Sequence, residues 1–206
     1  MVNPRTGEDG AVAKTTNEPP VRERLIDSAG ALFYAEGIRA ISADRIIAAV
    51  GTTKATFYRH FPTKDDLVLA YLEVRAELER SGVTAAAAAS DPQEALRGVV
   101  GVLADTSCQP GFRGCPFINA GAEYADAAHP VRRLVAEQRT WWTTFFRTLA
   151  ERLGVPSGAA ADSAAAQILM LRDGALVAGY LDDPNAIQTQ LSKAITAVVT
   201  SARADR

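Results

Sequence analysis

Between Thr52 and Lys64 the chain reads TTKATFYRHFPTK, a run that few folds accommodate. Thr53 and Thr63 each stand just ahead of helix-forming residues, so each reads as an N-cap that accepts a hydrogen bond from a free backbone N–H. Pro62 lies between them and stops the first helix before the second begins. The helix bounded in this way, Lys54 to His60, falls well short of the dozen or so residues an isolated helix needs in water. It must therefore be held by neighbours. Phe57 and Phe61 are the side chains by which it would be anchored. Thr53, Lys54, Thr56, Tyr58 and His60 are left on its outer face. Small, polar and basic groups on a short braced helix suit the DNA major groove and its flanking phosphates.

The residues upstream supply the braces. A first helix is expected from near Pro20, with Leu25, Ile26, Ala29, Leu32 and Phe33 on its apolar side and Gly37 at its end. Ile38 and Ile41 then turn back to the core. Ser42 caps a short second helix over Ala43 to Val50, whose apolar positions are Ile46, Ile47 and Val50, and Gly51 breaks it. Two short helices across a glycine turn, packed on a longer one, make a helix-turn-helix. Thr63, with Asp66 three residues on, opens a fourth helix whose stripe is Leu67, Ala70, Tyr71, Val74 and Leu78. Its sequence texture changes after Arg80. The start of that helix, with Lys64 beside it, is a natural phosphate site.

Further helices are expected over Pro92 to Thr106, Phe117 to Ala127, Pro130 to Gly154, Ala161 to Leu181 and Ala186 to about Ala202. CQPGFRGCP (108–116) reads as a loop. No strand alternation and no internal repeat stand out, so the fold class is all-α with about nine helices. Residues 1–18, rich in Gly, Pro, Thr and charge, are expected to be a disordered tail. Residues 19–66 form the helix-turn-helix unit, and residues 67–206 the remaining helical domain.

Charge sharpens this reading. The chain as a whole carries −2. Yet Arg39, Arg45, Lys54, Arg59 and Lys64 stand against Asp44 alone in the stretch from 39 to 64, a basic patch confined to one small element. No apolar run is long enough to span a bilayer, and the N-terminal stretch lacks the apolar core of a leader. A cytoplasmic protein with no membrane association is the expectation. Cys108 and Cys115 cannot make a disulfide framework for this length, and no metal-ligand spacing or cofactor motif occurs. His60 and His129 lack a nucleophile and an orienting acid around them, so no enzyme is expected. Cys108 and Cys115 do leave an alternative, a thiol-based redox sensor, because six residues of loop could let them meet.

The run GTTKATFYRHFPTKDDL resembles the signature of the TetR family of transcriptional regulators, over about Arg22 to Tyr71. RGCPFINAGAEY resembles a segment of one actinobacterial-style subgroup of that family. The resemblance implies a ligand-responsive regulator, in its usual form a repressor released from double-stranded operator DNA by a small effector. It implies DNA contacts by Thr53, to a phosphate or a base edge, and by Lys54 and Thr56 in the groove. Tyr58, His60 and Lys64 would sit on phosphates, with Thr52 and Arg45 as flanking contacts. Ala55 stands where a glycine is often found, which puts base readout there in doubt. The resemblance also implies a homodimer, for which helices 8 and 9 are the candidates through Leu169, Leu171, Leu176, Val177, Leu181, Ile187, Leu191, Ile195, Val198 and Val199. An effector pocket among helices 4 to 8 would draw on Phe112, Cys115, Phe117, Asn119, Tyr124, Trp141, Trp142, Phe145, Arg172 and Tyr180. Aromatic walls with a few polar groups suit an amphipathic or aromatic small molecule.

Overall fold

Most helices of this chain start at a residue able to take up orphan N–H groups, and the computed structural model, which describes residues 19–204, follows those starts closely. Among the described residues there are nine α-helices and no strand: α1 Val21–Glu36, α2 Ala43–Val50, α3 Lys54–His60, α4 Lys64–Ala86, α5 Pro92–Ser107, α6 Pro116–Glu123, α7 Pro130–Arg152, α8 Ala159–Leu181 and α9 Ile187–Ala204, with a short 3-10 turn at Pro184–Ala186. The expected tail at 1–18 lies outside the described residues. The Ser42 hydroxyl accepts from the Arg45 N–H and the Thr53 hydroxyl from the Thr56 N–H. At α4 the capping box is complete: Thr63 accepts from the Asp66 N–H at 3.1 Å while the Asp66 carboxylate accepts from the Thr63 N–H at 2.8 Å. Loss of one such cap costs about 1 kcal/mol. Thr53→Ala is therefore expected to lower the unfolding free energy by that amount, read as a lower urea midpoint at an unchanged denaturant slope.

Gly51, in the left-handed conformation at φ 69° and ψ 37°, turns the chain from α2 to α3. Gly37 also has a positive φ of 94°, but its ψ of 150° is extended, so α1 ends by a sharp departure instead of the expected left-handed cap.

Two cores result. The first joins Leu25, Ile41, Ile46, Phe57, Phe61 and Leu67 beneath the helix-turn-helix. It continues into α6, α7 and α8 through Phe117, Ala120, Val131 and Leu176, so the head is not closed off at residue 66. The second packs α5, α7, α8 and α9 around Trp142, Phe146, Ile168 and Ile195.

Three expectations from sequence are corrected. Helix 4 does not fade after Arg80: it runs through Ser81 and Gly82 to Ala86, because Ser81 Oγ folds back onto the carbonyls of Glu77 and Leu78 and Val83 is buried. Helix 6 stops at Glu123 and not near Ala127. There the Arg132 guanidinium donates to the carbonyls of Gly121 and Tyr124, capping the end from outside. Val74 and Leu78, read as core, are 41% and 58% exposed. The helix buries Leu67, Val68, Ala70, Tyr71, Leu72, Ala76 and Val83 instead.

Candidate nucleic-acid interface and effector cavities

The outer face of α3 is built by subtraction. Phe57 is fully buried and Phe61 is 2% exposed, and Arg22 lies over the Phe61 ring at 5.3 Å. Pinned on that side, α3 turns Thr53, Lys54, Ala55, Tyr58 and Arg59 to solvent, with Thr52, Thr56 and His60 half-buried at the margins. Tyr58 is 49% exposed, and its ring meets that of Phe57 edge-on at 5.1 Å. The Lys54 ammonium is 2.8 Å from Asp44, and the Arg45 guanidinium makes a two-pronged contact with Glu36 at 2.6 Å. Both pairs lie at the surface, where such bridges are worth about 0–1 kcal/mol, so a phosphate can displace the carboxylates.

Lys64 departs from its expected role. Its ammonium donates to the carbonyls of Ile38 and Ile41 at 2.9 and 3.1 Å, so it braces the α1–α2 turn. Arg59, counted in the basic patch but given no role from sequence, is exposed with no polar partner among the described residues. Its charge was the signal that could have found it.

The head is tied to the body at three polar points. The Glu123 carboxylate accepts from the backbone N–H groups of Ile38 and Arg39 at 2.8 and 2.7 Å. The Tyr34 hydroxyl donates to the Gly114 carbonyl and accepts from the Arg113 N–H, both at 2.8 Å. The Tyr124 hydroxyl donates to Asp65 at 2.6 Å, with the His129 ring tilted beside the Tyr124 ring at 4.5 Å between centres. Burial, followed by the Asp65 bond, raises the Tyr124 phenol far above its ordinary value.

Cavities lie along the same seam. One of about 300 Å³ runs between α1 and α6, bordered by Phe33, Tyr34, Tyr71, Asn119, Glu123 and Tyr180. A second, about 360 Å³, lies between α1, α4 and the loop 109–112, bordered by Gly30, Tyr34, Tyr71, Val74, Arg75 and Phe112. A third, about 180 Å³, reaches inward among Leu78, Glu79, Leu103, Cys115, Phe117 and Leu176. Behind its Glu79 wall sits a buried polar cluster. Arg172, 2% exposed, donates to Glu79 and to Asp173, and its guanidinium lies 4.3 Å from the Trp142 ring centre. Gln138 donates to the other Glu79 oxygen at 2.6 Å and accepts from Arg80 at 2.7 Å.

Comparison with known proteins decides what kind of molecule carries this arrangement. Residues 25–71 match the model described as bacterial regulatory proteins, tetR family, and residues 92–195 match that of the tetracyclin repressor-like C-terminal domain. The chain belongs to the TetR family of transcriptional regulators. A TetR-family regulator from Streptomyces coelicolor has a similar structure, with 40% identity and a TM-score of 0.83, over 89% of this chain and 96% of that one. A TetR regulator from Chloroflexus aurantiacus is 26% identical with a TM-score of 0.70, over 87% and 92% of the two chains. In sequence, the HTH-type transcriptional regulator LmrA of Bacillus subtilis is 24% identical over 159 residues, 76% of this chain and 85% of that protein. This TetR-family chain is thus a DNA-binding transcriptional regulator, and the α2–α3 pair is its helix-turn-helix.

Within this TetR regulator the pocket candidates do not meet around one space. Phe112, Cys115 and Phe117 border the inner cavity, while Asn119 and Tyr180 border the one between α1 and α6. Trp141 and Phe145 stack at 5.4 Å and border a separate surface hollow near Arg152. Trp142 is 1% exposed in the second core, Arg172 belongs to the buried cluster, and Tyr124 is spent on the Asp65 contact. Tyr34, Val74, Arg75 and Leu78, which sequence reasoning missed, border the two spaces beside α4. Cys108 is exposed and Cys115 buried. Burial pushes the Cys115 thiol up, more than the Arg172 guanidinium pulls it down. A neutral thiol is the unreactive form, so the geometry gives the redox alternative no support. Among the described residues no cluster of three potential metal ligands occurs, and no helix is long and apolar enough to cross a membrane.

Proposed function

We propose that this regulator is a repressor released from its operator by a small amphipathic or aromatic effector. The observation that carries the reading is the position of the cavities: they lie along the seam between head and body, against α1 and α4, so that filling them bears on the helices that hold α3. An effector that fits one placement of the head better than another shifts the population between operator-competent and incompetent states. The head, residues 19–66, reads DNA, and residues 67–206 sense the effector and dimerise, in the cytoplasm.

On DNA, Thr53, Lys54 and Thr56 face the major groove, and Tyr58 and His60 take phosphates, flanked by Thr52 and Arg45. Lys64 acts by holding the turn that carries α2, with a phosphate contact open to it only on release from those carbonyls. Because phosphate contacts set affinity and salt dependence, Lys54→Ala is expected to weaken operator binding. Where that contact is to phosphate, the slope of log affinity against log salt falls by about 1, measured by fluorescence anisotropy over a salt series.

Dimerisation uses α8 and α9. Met170, Val177 and Leu181 form an apolar face on α8 that is 47–68% exposed, with Gly174 open between them for close backbone approach. Leu169, Leu176, Ile187, Leu191, Ile195 and Val199 are buried within the chain's own core. They support the interface from behind. A two-fold dimer presents its two α3 helices to half-sites about one helical turn apart.

Binding of the full chain to DNA upstream of its own gene, followed as candidate effectors are added, tests the reading. Release on addition is expected, and tighter binding with every effector that binds would overturn it.

A further inference from the structure

Resting on the reading that an effector fills the spaces beside α4, we infer that the effector is a small anion: a carboxylate on an apolar body about the size of one aromatic ring, its charge held by Arg75. The inner and outer cavities share the wall formed by Tyr34, Arg75, Leu78, Thr106 and Phe112. The inner one, about 180 Å³, is otherwise bordered mostly by apolar side chains, among them Val83, Val102, Leu103, Phe117 and Leu176. A void of about 150 Å³ holds a benzene ring, which sets the size of the body.

Three charged residues border the two spaces. Glu79 is neutralised by Arg172, and both its oxygens are engaged, by Arg172 on one side and by Gln138 and Trp142 on the other. Asp27 borders only the outer space. Arg75 borders both, at the wall between them, and has no hydrogen bond or ion pair among the described residues. Arg75 is exposed, as are Arg39, Arg59 and Arg203, whose guanidinium groups also have no polar partner among the described residues; Arg75 differs from them in standing at the wall shared by the two spaces. The polar groups at the same wall are already satisfied: Tyr34 by Gly114 and Arg113, Thr106 by the Val102 carbonyl.

A second observation points the same way. Val74 and Leu78 continue the stripe of Leu67 and Tyr71 along α4, yet they are exposed and border these spaces. An apolar stripe left open beside an unpaired guanidinium fits an amphipathic anion. A neutral hydrophobe would cover the same stripe but gain nothing from the guanidinium, whereas a carboxylate gains a charge-assisted contact. Arginine matches a carboxylate with two parallel N–H donors.

The test uses the full chain with three matched sets: 3-phenylpropanoate, 4-phenylbutanoate and octanoate, their primary amides, and the corresponding amines. Binding is measured by calorimetry and thermal shift, and release by anisotropy on the upstream DNA. At least one acid should bind tenfold or more tightly than its amide and lower the affinity for DNA. Arg75→Gln should abolish that preference while leaving amide binding unchanged, and Arg75→Lys should retain most of it. If the amides or amines bind and release DNA as well as the acids do, the repressor reading stands and the anionic effector is overturned. If no acid binds, or if Arg75→Gln binds acids as the parent does, it is likewise overturned. If acids bind with the expected preference and DNA affinity never falls, the repressor reading fails while the Arg75 site stands. Spontaneous crosslinking of two Leu78→Cys chains in a Cys108→Ser background would show the groove to be an interface between copies and sink the inference.

Discussion

Replacing Arg172 by methionine is expected to destabilise the chain by about 3–5 kcal/mol, the usual cost of removing one partner from a buried ion pair. Arg172 is 2% exposed and bridges α8 to Glu79 on α4, while Asp173 and the Trp142 ring lie against the same guanidinium. Without it the Glu79 carboxylate keeps only Gln138 and Trp142 as donors. Its charge then loses its ion-pair partner while most of the side chain is out of water. The pair itself need not be stabilising, since an apolar replacement of both members can be neutral or better. The double variant Glu79→Leu with Arg172→Met is therefore expected to recover much of the loss, and Glu79→Leu alone to be nearly as damaging as Arg172→Met. Urea unfolding of the four proteins as a double-mutant cycle reads the coupling. A loss under about 1 kcal/mol in Arg172→Met would show that Glu79 is hydrated well enough to stand alone.

That cluster also marks where reading the sequence stops. Arg172 could be named from sequence as a polar residue needing a partner if buried. Its partner on α4, 93 positions away, could not, because nothing local links Glu79 to it. The head was legible for the opposite reason. Caps at Ser42, Thr53 and Thr63, breaks at Gly51 and Pro62, and the Phe57–Phe61 anchors are all local signals, and α2 and α3 appear with the bounds those signals set. Errors arose where a local pattern met a distant neighbour. The stripe of α4 is regular through Leu78, but Val74 and Leu78 look onto the outer groove. Ser81-Gly82 resembles a stop, yet Val83 beyond it is buried against α5 and α7 and carries the helix on. Lys64 reads as a phosphate ligand from its place at a helix start, and only the approach of the α1–α2 turn shows that its charge is already in use. The cavities are harder still, because they form between elements far apart in the chain. The aromatic-rich α7 attracted the pocket candidates Trp141, Trp142 and Phe145, of which Trp142 is core and the other two border a surface hollow.

Phe57→Ala carries the other large expected effect, about 3–5 kcal/mol for truncating a fully buried phenylalanine. Its consequence for function should exceed its consequence for stability. The ring is the main anchor of a helix of 7 residues that cannot persist alone. It packs against Tyr58 at 5.1 Å and Phe61 at 6.3 Å, so its loss also frees the side chain assigned to a phosphate. Phe57→Leu, which fills most of the volume, is expected to cost about 1–2 kcal/mol by the same transfer and cavity reasoning. It should keep operator binding. The two variants separate a helix that is merely less stable from one that is no longer presented. In Phe57→Ala, backbone amides of α3 should exchange with solvent far faster than those of α7 and α8, and operator affinity should fall even at temperatures where the body remains folded. If amides throughout the chain instead exchange together, the core shared by the head with Phe117, Ala120, Val131 and Leu176 makes head and body one cooperative unit. In that case an effector acting on the body would have to move α3 as part of a rigid whole and could not loosen it, which would direct attention to the Glu123 and Tyr34 contacts as the points about which the head turns.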